Sequence, residues 1–132
     1  MAGITLDTGA LIALERGEAR VRAFLTLATR RGTPVTIPAA VLAQAWRGPR
    51  NARIAALVTT TFVEPMTEAL ARDIGLLLGR AGTADVVDAM LVLTAAKRGD
   101  EIITGDPVDI HRLATHIRGL GRIRSLTDLP ER

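Results

Sequence analysis

The sequence predicts an α/β fold: a three-layer α/β/α sandwich around a mostly parallel sheet of about five short strands. Three observations lead there. Segments of strand and helix character alternate from end to end. The strand segments are short continuous apolar runs, as a parallel sheet covered on both faces requires. The hydrophobic residues make up 48% of the chain, with aromatics at only 2%, so Ala, Leu, Val and Ile form the apolar mass. Such side chains suit helices packed closely on β-branched strands. The 132 residues are the size of one ordinary domain, and no repeat or linker divides them, so a single domain over 1–132 is expected.

Ile4–Asp7 reads as a buried strand running straight into a helix, Thr8–Arg16, which Gly17 breaks. A second helix follows over Glu18–Arg31, and Gly32–Pro34 turns the chain into a strand, Val35–Pro38. Pro38 sits close to the first turn of a helix over Ala39–Arg47, where proline is tolerated. Gly48-Pro49 closes that helix, and another spans Asn51–Thr60 before a strand, Thr61–Glu64. Thr67 is placed to cap a helix over Glu68–Arg80. A helix over Ala84–Lys97, ended by Gly99, leads to the strand Glu101–Thr104. A helix over Pro107–Thr115 and a weak strand, Gly121–Arg124, complete the chain.

Composition removes several kinds of chemistry. With no cysteine, disulfides, thiolate nucleophiles and zinc–thiolate sites are excluded. The opening MAGITLDTGALIALERGEAR lacks a basic n-region and an apolar h-region, and no stretch approaches the roughly 18 uncharged apolar residues of a membrane span. A cytoplasmic protein is the expectation. The net charge of +3 rests on arginine, Lys97 being the sole lysine. Arginine forks suit phosphate, which is compatible with a polyanionic partner, but an excess this small decides little.

The acidic residues are more informative. Ligands of open parallel sheets bind beyond the carboxyl ends of the strands. Asp7 and Asp106 both stand at such ends. Either also serves as a helix cap, Asp106 with Pro107 behind it. Asp88 is harder to explain that way. It lies in a helix apolar on nearly every side, where a buried carboxylate costs several kcal/mol unless paired or metal-bound. Its helical neighbours Ala84, Leu91 and Val92 offer no partner. Asp85, one turn earlier, is a supporting candidate, though the helix N-terminus favours it anyway. Asp109 sits in the first turn of its own helix, where dipole complementation accounts for it equally. Gln44 is a lone polar side chain in an apolar helix, and His111 and His116 read as exposed helix positions.

Taken in order, four segments resemble the PIN-domain family, and within it the VapC-type toxins of bacterial toxin–antitoxin pairs. They are LDTGALIAL at 6–14, AQAWRG at 43–48, VDAMLVLTAA at 87–96 and ITGDPVDIHRLA at 103–114. The resemblance covers essentially the whole chain. It implies a Mg²⁺- or Mn²⁺-dependent ribonuclease with Asp7, Asp88 and Asp106 as metal ligands and Asp109 as a further ligand or supporting group. Gln44 stands where the family usually has glutamate. Its amide oxygen can still ligate a cation or orient water, but it brings no charge. Thr8 and Thr104 would hydrogen-bond the carboxylates or the scissile phosphate. The family also implies a homodimer and a VapB-type antitoxin, with Leu11, Leu14 and Phe24 available either for such contacts or for the core.

Arg47, Arg50 and Arg53 recur every third residue beside the second segment and suit an RNA backbone, although a solvated helix start accounts for them as well. With Phe24 and Phe62 expected in the core, extensive base stacking is not anticipated, and RNA shape would set selectivity. Gln44 also favours a competing reading, a PIN scaffold that binds RNA or antitoxin without turnover. Haloacid-dehalogenase-like phosphotransferases would want an acid at position 9, which is Gly9. A receiver domain would want a lysine after the last strand, yet Lys97 lies on a helix.

Overall fold

The computed structural model describes residues 2–130; the remaining three positions of the expected single unit, Met1, Glu131 and Arg132, lie outside them. Five strands form one sheet: β1 (Ile4–Leu6), β2 (Val35–Pro38), β3 (Phe62–Glu64), β4 (Glu101–Thr104) and β5 (Ile123–Ser125). Their order is β3-β2-β1-β4-β5, and every pairing is parallel, so the sheet is wholly rather than mostly parallel. Seven helices connect them: α1 (Thr8–Glu15), α2 (Ala19–Arg30), α3 (Ala39–Ala45), α4 (Ala52–Val58), α5 (Glu68–Ala81), α6 (Val86–Arg98) and α7 (Pro107–Ala114). A one-turn 3₁₀ helix, Leu126–Asp128, follows β5.

The strand order reverses at β1. The chain moves outward from β1 to β2 and β3, then returns to build β4 and β5 on the other side. Helices cover both sides of this sheet, giving the three layers, and α3 packs against both α1 and α6. The reversal opens a crevice at the carboxyl ends of β1 and β4, where such sheets place their ligands.

The central strands are apolar because both faces are covered: Leu6, Ile37, Ile102 and Ile103 are essentially inaccessible. Burying each such side chain contributes roughly 1.5–3 kcal/mol. Helix α6 is the most enclosed, with Ala89, Met90, Leu91, Val92 and Ala95 all at 0% exposure. Leu11 and Leu14 are core residues, which leaves neither as a docking surface. Phe62 departs from expectation. It is 54% exposed, because β3 is a short edge strand with a wet face.

Helix ends follow local chemistry. Thr67 caps α5 by accepting the Leu70 N–H at 3.2 Å, as expected. Gly99 ends α6 in the left-handed region at φ 69°, where a β-carbon would be strained. α3 stops at Ala45 rather than Arg47, since Trp46 takes an extended conformation.

Sequence inspection overlooked Asp100, a fully buried carboxylate. It accepts the Gly3 N–H and the Thr5 hydroxyl, both at 2.8 Å, and pairs with Arg98 Nε at 3.1 Å. Arg98 also reaches Glu64 at 3.1 Å. This network ties the chain's beginning to the turn between α6 and β4. Asp100 stands 97 positions from Gly3 and 95 from Thr5, separations that local pattern cannot register.

Candidate active site

Asp7 follows the last residue of β1 and caps α1, its Oδ1 accepting the Thr8 N–H at 2.6 Å. Its other oxygen accepts the Thr104 hydroxyl at 2.5 Å, from the end of β4. Thr104 Oγ1 in turn accepts the Asp106 N–H at 2.9 Å. One buried hydroxyl therefore joins the acid after β1 to the acid after β4. Capping and convergence are both present in Asp7. Asp106 is different: it occupies the cap position of α7, but its side chain makes no capping bond. Its carboxylate is exposed.

Two glycines let these segments meet. A β-carbon on Gly9 would stand 3.2 Å from the Gly105 backbone nitrogen, so the first turn of α1 rests directly against the loop after β4. The third acidic segment arrives from α6, whose N-terminus points to the same end of the sheet. Asp85 is the N-cap there, accepting the Asp88 N–H at 3.0 Å. Asp88, expected to be buried within an apolar helix, is half-buried and lies in the first turn, because α6 begins at Val86 and not at Ala84. The dipole of the helix thus favours both carboxylates.

The electrostatics of the cluster show the convergence. The Asp88 carboxyl is pushed up to about 7, first by burial, then by the charges of Asp85, Asp7 and Asp106. Asp7 is also raised, mainly by burial, with hydrogen bonds from Thr104 and Thr8 opposing the effect. Asp109 is raised chiefly by its hydrogen bond to the Asp106 carboxyl and by that group's charge. Among the described residues, Asp7, Asp85, Asp88 and Asp106 have no ion-pair partner. Arg112 approaches Asp109 to 3.9 Å and helps line a hollow of about 110 Å³ with Asp85, Asp88 and Asp109. Sequence reading missed Arg112, although its place three residues after Asp109 on one helix was a usable signal.

A set of oxygen donors carrying excess negative charge fits a hard divalent cation. Among the described residues no three acidic or histidine side chains stand in ready-made metal-binding geometry. The carboxylates are gathered but not closed into a cage.

Gln44 is near the end of α3 and exposed, and its Oε1 accepts the Thr8 hydroxyl at 2.6 Å. It joins the network through Thr8. The three arginines behave separately. Arg47 donates to the Trp46 and Ala43 carbonyls at 2.7 and 3.3 Å, and Arg53 to the Glu15 carbonyl at 3.0 Å. Arg50 is exposed in the turn between them. His111 and His116 are exposed, as expected.

The family model for the PIN domain matches residues 4–115, from β1 through α7 and all the acidic positions above. The chain belongs to the PIN-domain family. The fold of this PIN domain is that of several solved structures. One is a chain of the FitAB complex bound to an IR36 DNA fragment, at 16% identity and a TM-score of 0.68, covering 96% of this chain and 97% of that one. A chain of DNA-bound VapBC from Salmonella typhimurium is 23% identical, with a TM-score of 0.65 and coverage of 96% and 99%. A chain of VapBC2 from Rickettsia felis, bound to a promoter fragment, is 13% identical, with a TM-score of 0.67 and coverage of 92% and 97%. Among curated proteins, none matches the chain. PIN domains are nucleases, and no helix among the described residues is long and apolar enough to cross a membrane.

Proposed function

We propose that this PIN domain is a VapC-type toxin, a ribonuclease that hydrolyses RNA phosphodiesters and is held silent by a cognate antitoxin. The observation that carries the reading is the approach of Asp7, Asp88 and Asp106, from three distant segments, at the switch point of the sheet, where among the described residues no basic side chain pairs with any of them. Structural neighbours drawn from VapBC and FitAB complexes support the antitoxin partner. Homodimerisation and an RNA substrate belong to the same proposal.

Asp7, Asp88 and Asp106 would hold Mg²⁺ or Mn²⁺, with Asp109 as a fourth carboxylate and Asp85 supporting Asp88. Such a cation, when bound, would supply water activation and charge stabilisation on the attacked phosphate. Thr104 holds the Asp7 carboxylate in place and fixes the Asp106 backbone, so the two acids keep their relation during turnover. Thr8 orients Gln44, whose amide is then positioned to order water without adding charge. Of the three arginines, Arg50 is exposed and would be left to meet the RNA backbone, since Arg47 and Arg53 are engaged by carbonyls.

The test is cleavage of end-labelled RNA by antitoxin-free protein in Mg²⁺, Mn²⁺ or EDTA, beside Asp88→Asn and Gln44→Glu. Metal-dependent cutting that Asp88→Asn abolishes in a folded protein is the expected result. One observation favours a second reading, a PIN scaffold that binds without turnover: Gln44 puts a neutral amide at the mouth of the cluster. Silence from the wild type with cleavage restored by Gln44→Glu would establish that alternative.

A further inference from the structure

The opposite end of the sheet carries a cleft of about 670 Å³, within the size range of small-ligand sites. It opens between α2, the segment leading into β1, the turn between α6 and β4, and the segment leading into β5. Its apolar wall is Ile4, Phe24, Leu27 and Ala28, and its polar lining is dominated by Arg31, Arg122 and Arg124. Among the described residues, Glu101 is the only acid in the lining. That carboxylate is already engaged, accepting from Arg124 at 3.2 Å.

Arg124 is held on two sides. Its guanidinium stands 5.5 Å from the Phe24 ring centroid, and its side chain is 19% exposed. Among the described residues its buried Nε–H has no acceptor, which leaves a desolvated cation incompletely satisfied. Arg31 and Arg122 are exposed at the rim. Two solvated guanidinium forks, a third buried cation and an apolar wall with one aromatic ring complement an anion with an unsaturated body.

We propose that this cleft binds an organic phosphate of mononucleotide size. The doubly charged phosphate meets Arg31 and Arg122, and the ring lies along Phe24 and Leu27. Phosphate is favoured over a single carboxylate because it matches two free forks and the unsatisfied field of Arg124. The cleft lies at the amino ends of β1 and β4, whereas Asp7 and Asp106 follow their carboxyl ends, so the inference does not depend on nuclease activity.

Adenosine 5′-monophosphate titrated into ¹⁵N-labelled protein in EDTA tests it, because without divalent cation the acidic end repels the same probe. The expected result is saturable amide shifts at Gly3, Leu27, Gly99 and Gly121, with inorganic phosphate binding more weakly at the same amides. Arg31→Ala with Arg122→Ala, both at exposed positions, should weaken binding by about tenfold or more at unchanged melting temperature. Shifts confined to the Asp7 and Asp106 region would overturn the proposal. So would no saturation by about 5 mM, a concentration well above a millimolar dissociation constant. Equal binding of succinate would overturn the phosphate class.

Discussion

Asp88 is where opposing demands on a single residue are clearest. Its carboxyl is raised from 3.8 to about 7, by burial first and neighbouring charge second. The folded protein therefore keeps a proton that the unfolded chain releases near pH 3.8, and stability falls between there and about pH 7. Asp88→Asn removes that loss. Discounted for partial solvent screening, the gain is about 1–2 kcal/mol at pH 8 without metal, or roughly 5 °C in melting temperature. It should nearly vanish at pH 4, and thermal unfolding at the two pH values measures it. The same substitution is expected to abolish metal-dependent cleavage. A variant that gains stability while losing activity separates a functional carboxylate from a structural one. Asp100 has the opposite character. Asp100→Ala strips acceptors from Gly3, Thr5 and Arg98 at once, and urea unfolding should register about 3 kcal/mol of destabilisation.

Within single elements, the N-terminus of α6 links helix capping to site electrostatics. Asp85→Ala loses the bond to the Asp88 N–H, at a cost of about 1 kcal/mol. It also removes a charge that raises the Asp88 carboxyl, so an NMR titration should find Asp88 ionising at lower pH than in the wild type. A cap with only a structural role would leave that titration unmoved. The contact between α1 and the loop after β4 allows a second test. Gly9→Val would press a branched side chain into the Gly105 backbone, already only 3.2 Å from a β-carbon at position 9. The expected outcome is a lower melting temperature together with reduced cleavage, since the same contact brings Asp7 and Asp106 together.

Across the sheet, the carboxylates without an ion-pair partner among the described residues gather at the carboxyl ends of β1 and β4, whereas Asp100 and Glu101 at the amino end of β4 are paired with Arg98 and Arg124, and Arg31 and Arg122 are exposed there. A divalent cation that binds only the folded chain raises stability by mass action, about 2.7 kcal/mol at a hundredfold excess over its dissociation constant. Calorimetry with Mg²⁺ or Mn²⁺ should therefore raise the melting temperature of the wild type and leave Asp88→Asn nearly unmoved. Gln44→Glu should start lower without metal and rise further with it, because a further carboxylate both repels the others and strengthens the cation site.

The alternation of apolar runs with helical segments was enough to place every strand within one or two residues and to indicate parallel pairing. Both signals are local, arising from backbone geometry and burial. Asp7 and Asp106 were legible as candidates because ligands of parallel sheets bind beyond the strand ends, and Asp88 because an acid in an apolar helix is costly. Helix boundaries at Ala45 and Val86 were less legible, because caps depend on the conformation of one residue. What only the tertiary structure decided were the relations between distant positions. Thr104 joining Asp7 to Asp106 and Asp100 holding Gly3 and Thr5 both require segments to meet in three dimensions. The exposure of Phe62 was settled the same way, by strand order rather than by hydrophobicity. Local free energies select elements, but burial and charge coupling are properties of pairs, and pairs far apart in sequence are specified only once the sheet has closed.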